Sequence, residues 1–131
     1  MDSIFTKIIN KEIPGHIIDE NQDFIAFLDI NPLTIGHSLI VPKREIDYFF
    51  DLDDKILRDI LIFSKRISYA IKRTVECDRV GVSVIGLEVP HAHLHLIPIN
   101  QEGDMNFSNE KLILSENEFK NLLKRIKSNL D

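Results

Sequence analysis

Three histidines alternate with small or apolar residues in the segment His91-Ala92-His93-Leu94-His95, and an apolar run continues to Ile99. Side chains of a β-strand point to alternate faces with a period of two. The segment therefore predicts a strand over residues 91–99, with the three imidazoles on one face. The residues between them would lie on the other face, against a hydrophobic core.

The remaining hydrophobic pattern predicts an α+β fold. From about residue 53 to residue 76 the apolar residues recur at helical spacing, which indicates one long helix that packs across the sheet. Short connections between the early strands favour a mostly antiparallel sheet of about five strands. Further predicted strands cover residues 16–20, 24–29, 36–41 and 80–85; a short N-terminal helix begins after Ser3, and a C-terminal helix begins with the capping box Ser115-Glu116-Asn117-Glu118.

Composition restricts the class of protein. With 131 residues, of which 44% are hydrophobic, we expect a single domain over residues 1–131, with its core in residues 3–99 and a C-terminal loop and helix in residues 100–131. The net charge of -5 argues against a nucleic-acid partner. One cysteine, Cys77, allows neither an internal disulfide nor a thiolate cluster. No secretory leader and no apolar run long enough to span a membrane is evident, so we expect a cytoplasmic protein without a membrane partner.

Four interpretations of the imidazole row remain open. The histidines could be buried and satisfied by backbone groups, or they could form an interaction surface without chemistry. They could bind a metal with a third ligand from His37 or Glu88, although three alternating histidines spread over about 13 Å of strand, too far for one ion. Finally, a neutral imidazole is a good nucleophile near pH 7. Its Nδ1–H can be held by a backbone carbonyl, which leaves Nε2 free to attack phosphorus while the flanking imidazoles contact phosphate oxygens or the leaving group.

The motif resembles the signature of the histidine triad (HIT) family, in which three histidines alternate with apolar residues and two further apolar residues follow. Residues 91–97 fit every position. The opening residues 3–14 and the central block of residues 26–43 also resemble the family, so that the resemblance covers most of residues 3–99. It implies a HIT-like fold and the transfer of a nucleoside monophosphate to histidine and then to water.

The resemblance also implies roles for individual residues. His93 resembles the nucleophile, His95 the residue that contacts the phosphate and the leaving group, and His91 the residue whose backbone carbonyl orients the nucleophile. His37 resembles a fourth histidine that supports this catalytic row, and Asp29 resembles the acid that binds the ribose hydroxyls. The apolar cleft around the base is matched by Ile4, Phe5, Ile8, Phe27, Leu28 and Ile30.

The segment before the motif departs from the family pattern. Relatives of the phosphoramidase branch carry a longer polar loop there, whereas residues 83–90 are shorter and more apolar. Ser83 and Gly86 still resemble phosphate-binding positions, and Gly86 could let a backbone N–H approach the anion. Glu88 stands where a serine is usual, and its carboxylate would repel a phosphate unless it were neutralised or turned away.

A second departure concerns zinc, which several bacterial relatives bind through cysteines in the opening segment. Ser3 and Thr6 stand at those positions, and Glu45 replaces a later histidine. The sequence therefore predicts no metal and no other cofactor.

Taken with the resemblance, these residues predict a nucleotide hydrolase or transferase that acts on nucleoside 5'-phosphoramidates or related adenylylated small molecules through a covalent histidine intermediate. The expected substrate is a purine nucleotide, an AMP derivative. The alternative is a nucleotide-binding regulatory module with little or no catalysis. The resemblance also implies a homodimer, with the long helix and the strand at residues 80–85 at a two-fold interface.

Overall fold

A computed structural model describes residues 2–131 and contains one five-stranded antiparallel sheet. The strand order across the sheet is β1-β2-β3-β5-β4, so that β5 lies between β3 and the edge strand β4. The predicted α+β class is confirmed. The strands are β1 (Ile17–Glu20), β2 (Phe24–Leu28), β3 (Ser38–Pro42), β4 (Arg79–Ser83) and β5 (Leu94–Ile99).

The described part of the chain also contains three α-helices, α1 (Ile4–Ile9), α2 (Asp54–Thr74) and α3 (Glu116–Ser128). Polar N-caps begin each of them, because a side-chain oxygen can accept an otherwise unpaired N–H of the first turn. Ser3 caps α1, Asp53 caps α2, and α3 has the predicted capping box, in which the Ser115 hydroxyl and the Glu118 carboxylate each accept the other residue's N–H.

The two faces of the sheet bury separate hydrophobic clusters. On one face, which we call the α2 face, Leu28, Ile40 and Leu94 pack in a cluster with the inward residues of α2 and α3. On the other, which we call the histidine face, Phe5 and Ile8 of α1 cover a cluster of sheet residues. The sheet residues of this second cluster are Ile25, Phe27, Leu39 and Val41.

Several strands differ from their predicted bounds by one to three residues. β5 begins at Leu94 and not at residue 91, because the Ala92 N–H donates to the Ile46 carbonyl rather than to a sheet neighbour (2.6 Å). β4 ends at Ser83 and not at residue 85. β3 begins at Ser38, which leaves His37 just before the strand. None of the helices in residues 2–131 combines the length and the apolar character needed to cross a membrane.

Candidate active site

The three motif histidines lie together on the histidine face of the sheet, although only His95 belongs to β5. His95 is opposite Leu39 in the register of β3 and β5, and Leu39 belongs to the cluster under α1. The Phe5 ring of α1 contacts the rings of both His91 and His93, with centroids 5.9 and 4.9 Å apart. The predicted common side is therefore observed, but the chain bends into β5 instead of running straight from residue 91.

A backbone carbonyl determines which ring nitrogen of His93 carries the hydrogen. Its Nδ1 lies 2.8 Å from the carbonyl oxygen of His91. A carbonyl only accepts hydrogen bonds, so Nδ1 carries the hydrogen and Nε2 carries the lone pair. The side chain is 6% exposed. His93 is thus a nearly buried imidazole with a nucleophilic nitrogen not used by this bond.

His37 and His95 form a second imidazole pair with defined tautomers. The Leu33 backbone N–H donates to Nδ1 of His37 (3.0 Å), so the hydrogen of that ring is on Nε2. His37 Nε2 lies 3.0 Å from Nδ1 of His95 and donates to it. The remaining hydrogen of His95 is consequently on Nε2, where it can donate to a ligand.

Burial keeps these imidazoles neutral near pH 7, because a buried site disfavours the charged form. Burial is the main cause that lowers the pKa of His37 to about 4, helped by the charge of Lys111. Burial likewise lowers the pKa of His95 to about 3 and, with less effect, the pKa of His93. The hydrogen bond to the His91 carbonyl and the charge of Glu88 partly oppose this shift at His93.

Asp29 lies beside the imidazole pair and also forms the turn after β2. Its Oδ1 accepts the Asn31 N–H (2.8 Å), while Oδ2 is 3.5 Å from Nε2 of His37. Burial, reinforced by the charge of Glu88, raises the pKa of the Asp29 carboxyl. The turn occupies one carboxylate oxygen, so the other is the one available to a ligand such as a ribose hydroxyl.

Asp29, His37 and His95 have ligand atoms within 4.8 Å of one another, which is the spacing of a metal site. Their hydrogen bonds are incompatible with that use. A metal at Nε2 of His37 would displace the hydrogen donated to His95, while Nδ1 of His37 already accepts the Leu33 N–H. The ring would then have to act as an imidazolate.

The positions that correspond to the zinc ligands of some relatives also come together. The Ser3 hydroxyl lies 2.7 Å from Nδ1 of His91, and Glu45 Oε1 accepts both the Ser3 N–H and the Thr6 hydroxyl, each at 2.7 Å. Zinc prefers thiolate, imidazole and carboxylate ligands. Two hydroxyl groups and an already hydrogen-bonded carboxylate do not fit such a site.

The expected base cleft is only partly assembled. Phe5, Ile8 and Phe27 lie together on the histidine face, and Ile30 is 64% exposed just beyond β2. The placement of Leu28 in the cleft was wrong. Its side chain lies in the cluster on the α2 face, because it follows Phe27 in a strand and neighbouring side chains alternate.

The segment before the motif places Ser83 beside the imidazoles. Ser83 and His95 are direct cross-strand partners, and such partners point to the same face. Gly86 adopts a φ of 73°, a conformation that favours glycine, with open space where a Cβ would lie. Glu88 is exposed; its charge adds to the raised pKa of Asp29 and partly opposes the lowering of the His93 pKa by burial. The negative charge of Glu88 therefore acts on two of the residues that the sequence predicts for the site, His93 and Asp29.

Phe107 is a site residue that the sequence did not indicate. Its ring meets His95 and His37 edge-on, with centroids 4.9 and 6.2 Å apart. Phe107 follows a short 3-10 helix, Glu102–Met105, in a loop without hydrophobic periodicity. Contacts between distant segments hold this loop against the site, for example the hydrogen bond from the Leu112 N–H to the Pro32 carbonyl (2.9 Å). The local sequence pattern does not predict such contacts.

Comparison with known proteins agrees with this architecture. Residues 10–102 match the HIT domain. The chain is 39% identical over 137 residues to an uncharacterized HIT-like protein of Borreliella burgdorferi, covering 98% of this chain and 99% of that protein. It is 39% identical over 100 residues to adenosine 5'-monophosphoramidase HNT1 of Saccharomyces cerevisiae, covering 76% of this chain and 63% of the yeast protein.

A solved structure shows the same fold over nearly the whole chain. The crystal structure of a Hit-like protein involved in cell-cycle regulation from Bartonella henselae superposes with a TM-score of 0.85 and 29% identity, covering 98% of this chain and 96% of that one. Since the domain match spans most of the chain and includes all three motif histidines, the protein belongs to the HIT family.

Proposed function

We propose that this protein is a metal-independent nucleotide hydrolase or transferase that acts on nucleoside 5'-phosphoramidates, or on related adenylylated small molecules, through a covalent His93–nucleoside monophosphate intermediate. One observation carries the proposal most directly. The His91 carbonyl holds the hydrogen of His93 on Nδ1 (2.8 Å), so the lone pair is on Nε2. Nucleophilic catalysis requires such an orientation. The similarity to the yeast adenosine 5'-monophosphoramidase supports the choice of substrate.

The proposed reaction has two displacements at phosphorus. In the first, the His93 Nε2 lone pair forms a bond to phosphorus, the bond from phosphorus to the amine breaks, and the amine leaves with that electron pair and a solvent proton. The His91 carbonyl then faces a positively charged ring, which it stabilises. In the second, water attacks phosphorus, the bond to Nε2 breaks, its electrons return to His93, and the water's proton goes to solvent.

The neighbouring groups have separate parts in this scheme. His95 Nε2–H donates to the leaving nitrogen or to a phosphate oxygen, and His37 holds His95 in the required tautomer. The free oxygen of Asp29 accepts from the ribose, and the Gly86 backbone N–H and the Ser83 hydroxyl are the proposed phosphate donors. The proposed apolar surface for a purine base consists of Phe5, Ile8, Phe27 and Ile30. The Leu28 side chain is not part of this surface.

The test is turnover of AMP-morpholidate with and without EDTA, together with trapping of the nucleotidylated protein. We expect turnover that EDTA does not reduce, and loss of the covalent adduct in His93→Gly with an unchanged circular dichroism spectrum. His16→Gly is the matched control, because His16 stacks on Phe119 in the cluster on the α2 face and precedes β1, which β2 and β3 separate from β5. Turnover abolished by EDTA, or an adduct that persists in His93→Gly, would overturn the proposal.

A second candidate function follows from Glu88, whose charge reaches His93 and Asp29. A carboxylate near the phosphate position weakens anion binding, and the protein would then be a nucleotide-binding regulatory module with little catalysis. In that case calorimetry would detect AMP binding, while a panel of phosphoramidates and dinucleotides would show no hydrolysis.

A further inference from the structure

The start of α1 is joined to the nucleophile by a continuous set of hydrogen bonds. We call Ser3, Thr6, Glu45 and His91 the anchor cluster. Helix α1 begins with the sequence Ser3-Ile4-Phe5-Thr6, in which Ser3 is the N-cap and Thr6 stands where a capping box has Glu or Gln. The acceptor for the Ser3 N–H comes instead from Glu45, which is 42 residues away in sequence (2.7 Å). Glu45 Oε1 also accepts the Thr6 hydroxyl (2.7 Å).

His91 connects this distant cap to the nucleophile. Its Nε2 lies 2.8 Å from the Pro42 carbonyl oxygen and must donate to it, so Nδ1 is an acceptor. The Ser3 hydroxyl, 2.7 Å away, therefore donates to Nδ1 of His91. The His91 ring is fully buried with both nitrogens satisfied, and its own carbonyl oxygen accepts the Nδ1–H of His93.

We propose that Glu45 is a positioning residue for the nucleophile, acting through Ser3 and His91 on His93. Glu45 does not touch the reacting atoms. It holds the Ser3 N–H and the Thr6 hydroxyl, which leaves the Ser3 hydroxyl directed at His91. The Pro42 carbonyl determines the His91 tautomer, and the bond from the Ser3 hydroxyl to Nδ1 holds the ring and so keeps the His91 carbonyl where it can orient His93. This role presupposes the covalent His93 chemistry proposed above.

Two substitutions of Glu45 separate its effect on the position of His93 from the effect of its negative charge. Glu45→Ala removes the acceptor, and Glu45→Gln keeps an acceptor oxygen without the negative charge. We expect Glu45→Ala to lower the rate of His93 nucleotidylation by roughly tenfold, because small displacements of a reacting group are costly. The KM should change by less than about twofold, since Glu45 does not contact the substrate. Glu45→Gln should recover most of the lost rate.

The matched control is Glu118→Ala. Glu118 accepts the N–H of another serine N-cap, Ser115 (3.0 Å), in α3; within residues 2–131 neither Ser115 nor Glu118 is hydrogen-bonded to a histidine side chain. This variant loses the same kind of hydrogen bond and should keep the wild-type rate. A comparable loss of rate in Glu118→Ala would attribute the effect to general destabilisation and overturn the proposal.

A double-mutant cycle tests the path. Ser3→Ala removes the donor to His91, so the double variant Ser3→Ala, Glu45→Ala should be no slower than the slower single variant if the two residues act in series. Additive losses would contradict a path through Ser3. A wild-type rate in Glu45→Ala would contradict any positioning role.

NMR of the histidine ring nitrogens provides a readout without substrate. The wild-type protein and Glu45→Gln should show a protected Nδ1–H on His93, and Glu45→Ala should show that proton exchanging faster with water. If this change occurs while wild-type protein forms no adduct with AMP-morpholidate, the proposed function fails and the positioning of His93 stands. If wild-type protein forms the adduct and Glu45→Ala retains a protected proton and full rate, only the role of Glu45 fails.

Discussion

Phe27 and Leu28 are adjacent in β2, yet their side chains lie on opposite faces of the sheet. Phe27 packs with Phe5 on the histidine face, with ring centroids 5.5 Å apart, whereas Leu28 lies in the cluster on the α2 face. Both are almost fully buried, at 3% and 2% exposure. One residue therefore belongs to the surroundings of the proposed nucleotide site, and its neighbour belongs to the main core.

This separation predicts different consequences for two alanine substitutions. Phe27→Ala should weaken AMP binding, measured by calorimetry, because it removes the apolar surface proposed for the base. Leu28→Ala should lower the free energy of unfolding by about 2–5 kcal/mol, as large-to-small core substitutions do, while AMP affinity changes little. An equal loss of AMP affinity in both variants, each shown to be folded, would contradict the assignment of faces.

His37→Ala tests the tautomer of His95. Without the hydrogen bond to Nδ1, the His95 ring can place its hydrogen on either nitrogen. We expect kcat for a phosphoramidate to decrease by roughly 10- to 100-fold, less than the loss of about 10²–10⁴-fold typical of an acid-base group itself, because His37 acts only through His95. The KM should change less than kcat. Unchanged kcat, with NMR showing the Nε2–H form of His95 retained, would show that His37 is not needed for this purpose.

Stability should decrease in mild acid because His37 and His95 are buried and neutral. Burial lowers their pKa values to about 4 and about 3, whereas histidines of the unfolded chain titrate near 6.5. Below that pH the unfolded chain binds more protons than the folded one, so the free energy of unfolding decreases as the pH falls toward 4. The slope approaches about 1.4 kcal/mol per pH unit for each histidine.

Urea denaturation at a series of pH values measures this slope. His95→Gln removes one of the two buried imidazoles and should make the dependence on pH shallower. A free energy of unfolding that stays constant between neutral pH and about pH 4.5 would contradict the burial of neutral imidazoles.

The edge strand β4 tests the expected homodimer. β4 has a neighbour on one side only, and Val82 on it is 53% exposed. An apolar edge of this kind favours pairing with a second copy. We expect sedimentation to show a dimer for the wild-type protein and a monomer for Val82→Lys. Ile113→Lys is the control, because Ile113 is 95% exposed but lies outside β4 and α2. A monomeric wild-type protein would contradict the expectation.

The sequence by itself determined the local structure of this protein. The alternating histidines indicated an extended segment with its imidazoles on one side, the long apolar stripe indicated α2, and Ser115 with Glu118 marked the start of α3. Such signals succeed because periodicity and capping depend on residues only a few positions apart. The predicted start of β5 was less accurate, because the Ala92 N–H bonds to the distant Ile46 carbonyl and the strand begins only at Leu94.

Only the tertiary structure decided how the imidazoles are oriented. The tautomer of His37 depends on the Leu33 N–H, and that of His91 depends on the Pro42 carbonyl, which is 49 residues away. Phe107 reaches the same site from a loop without any periodic pattern. Hydrogen bonds and ring contacts between distant segments depend on how the whole chain folds. The spacing of residues within a short stretch therefore cannot predict them.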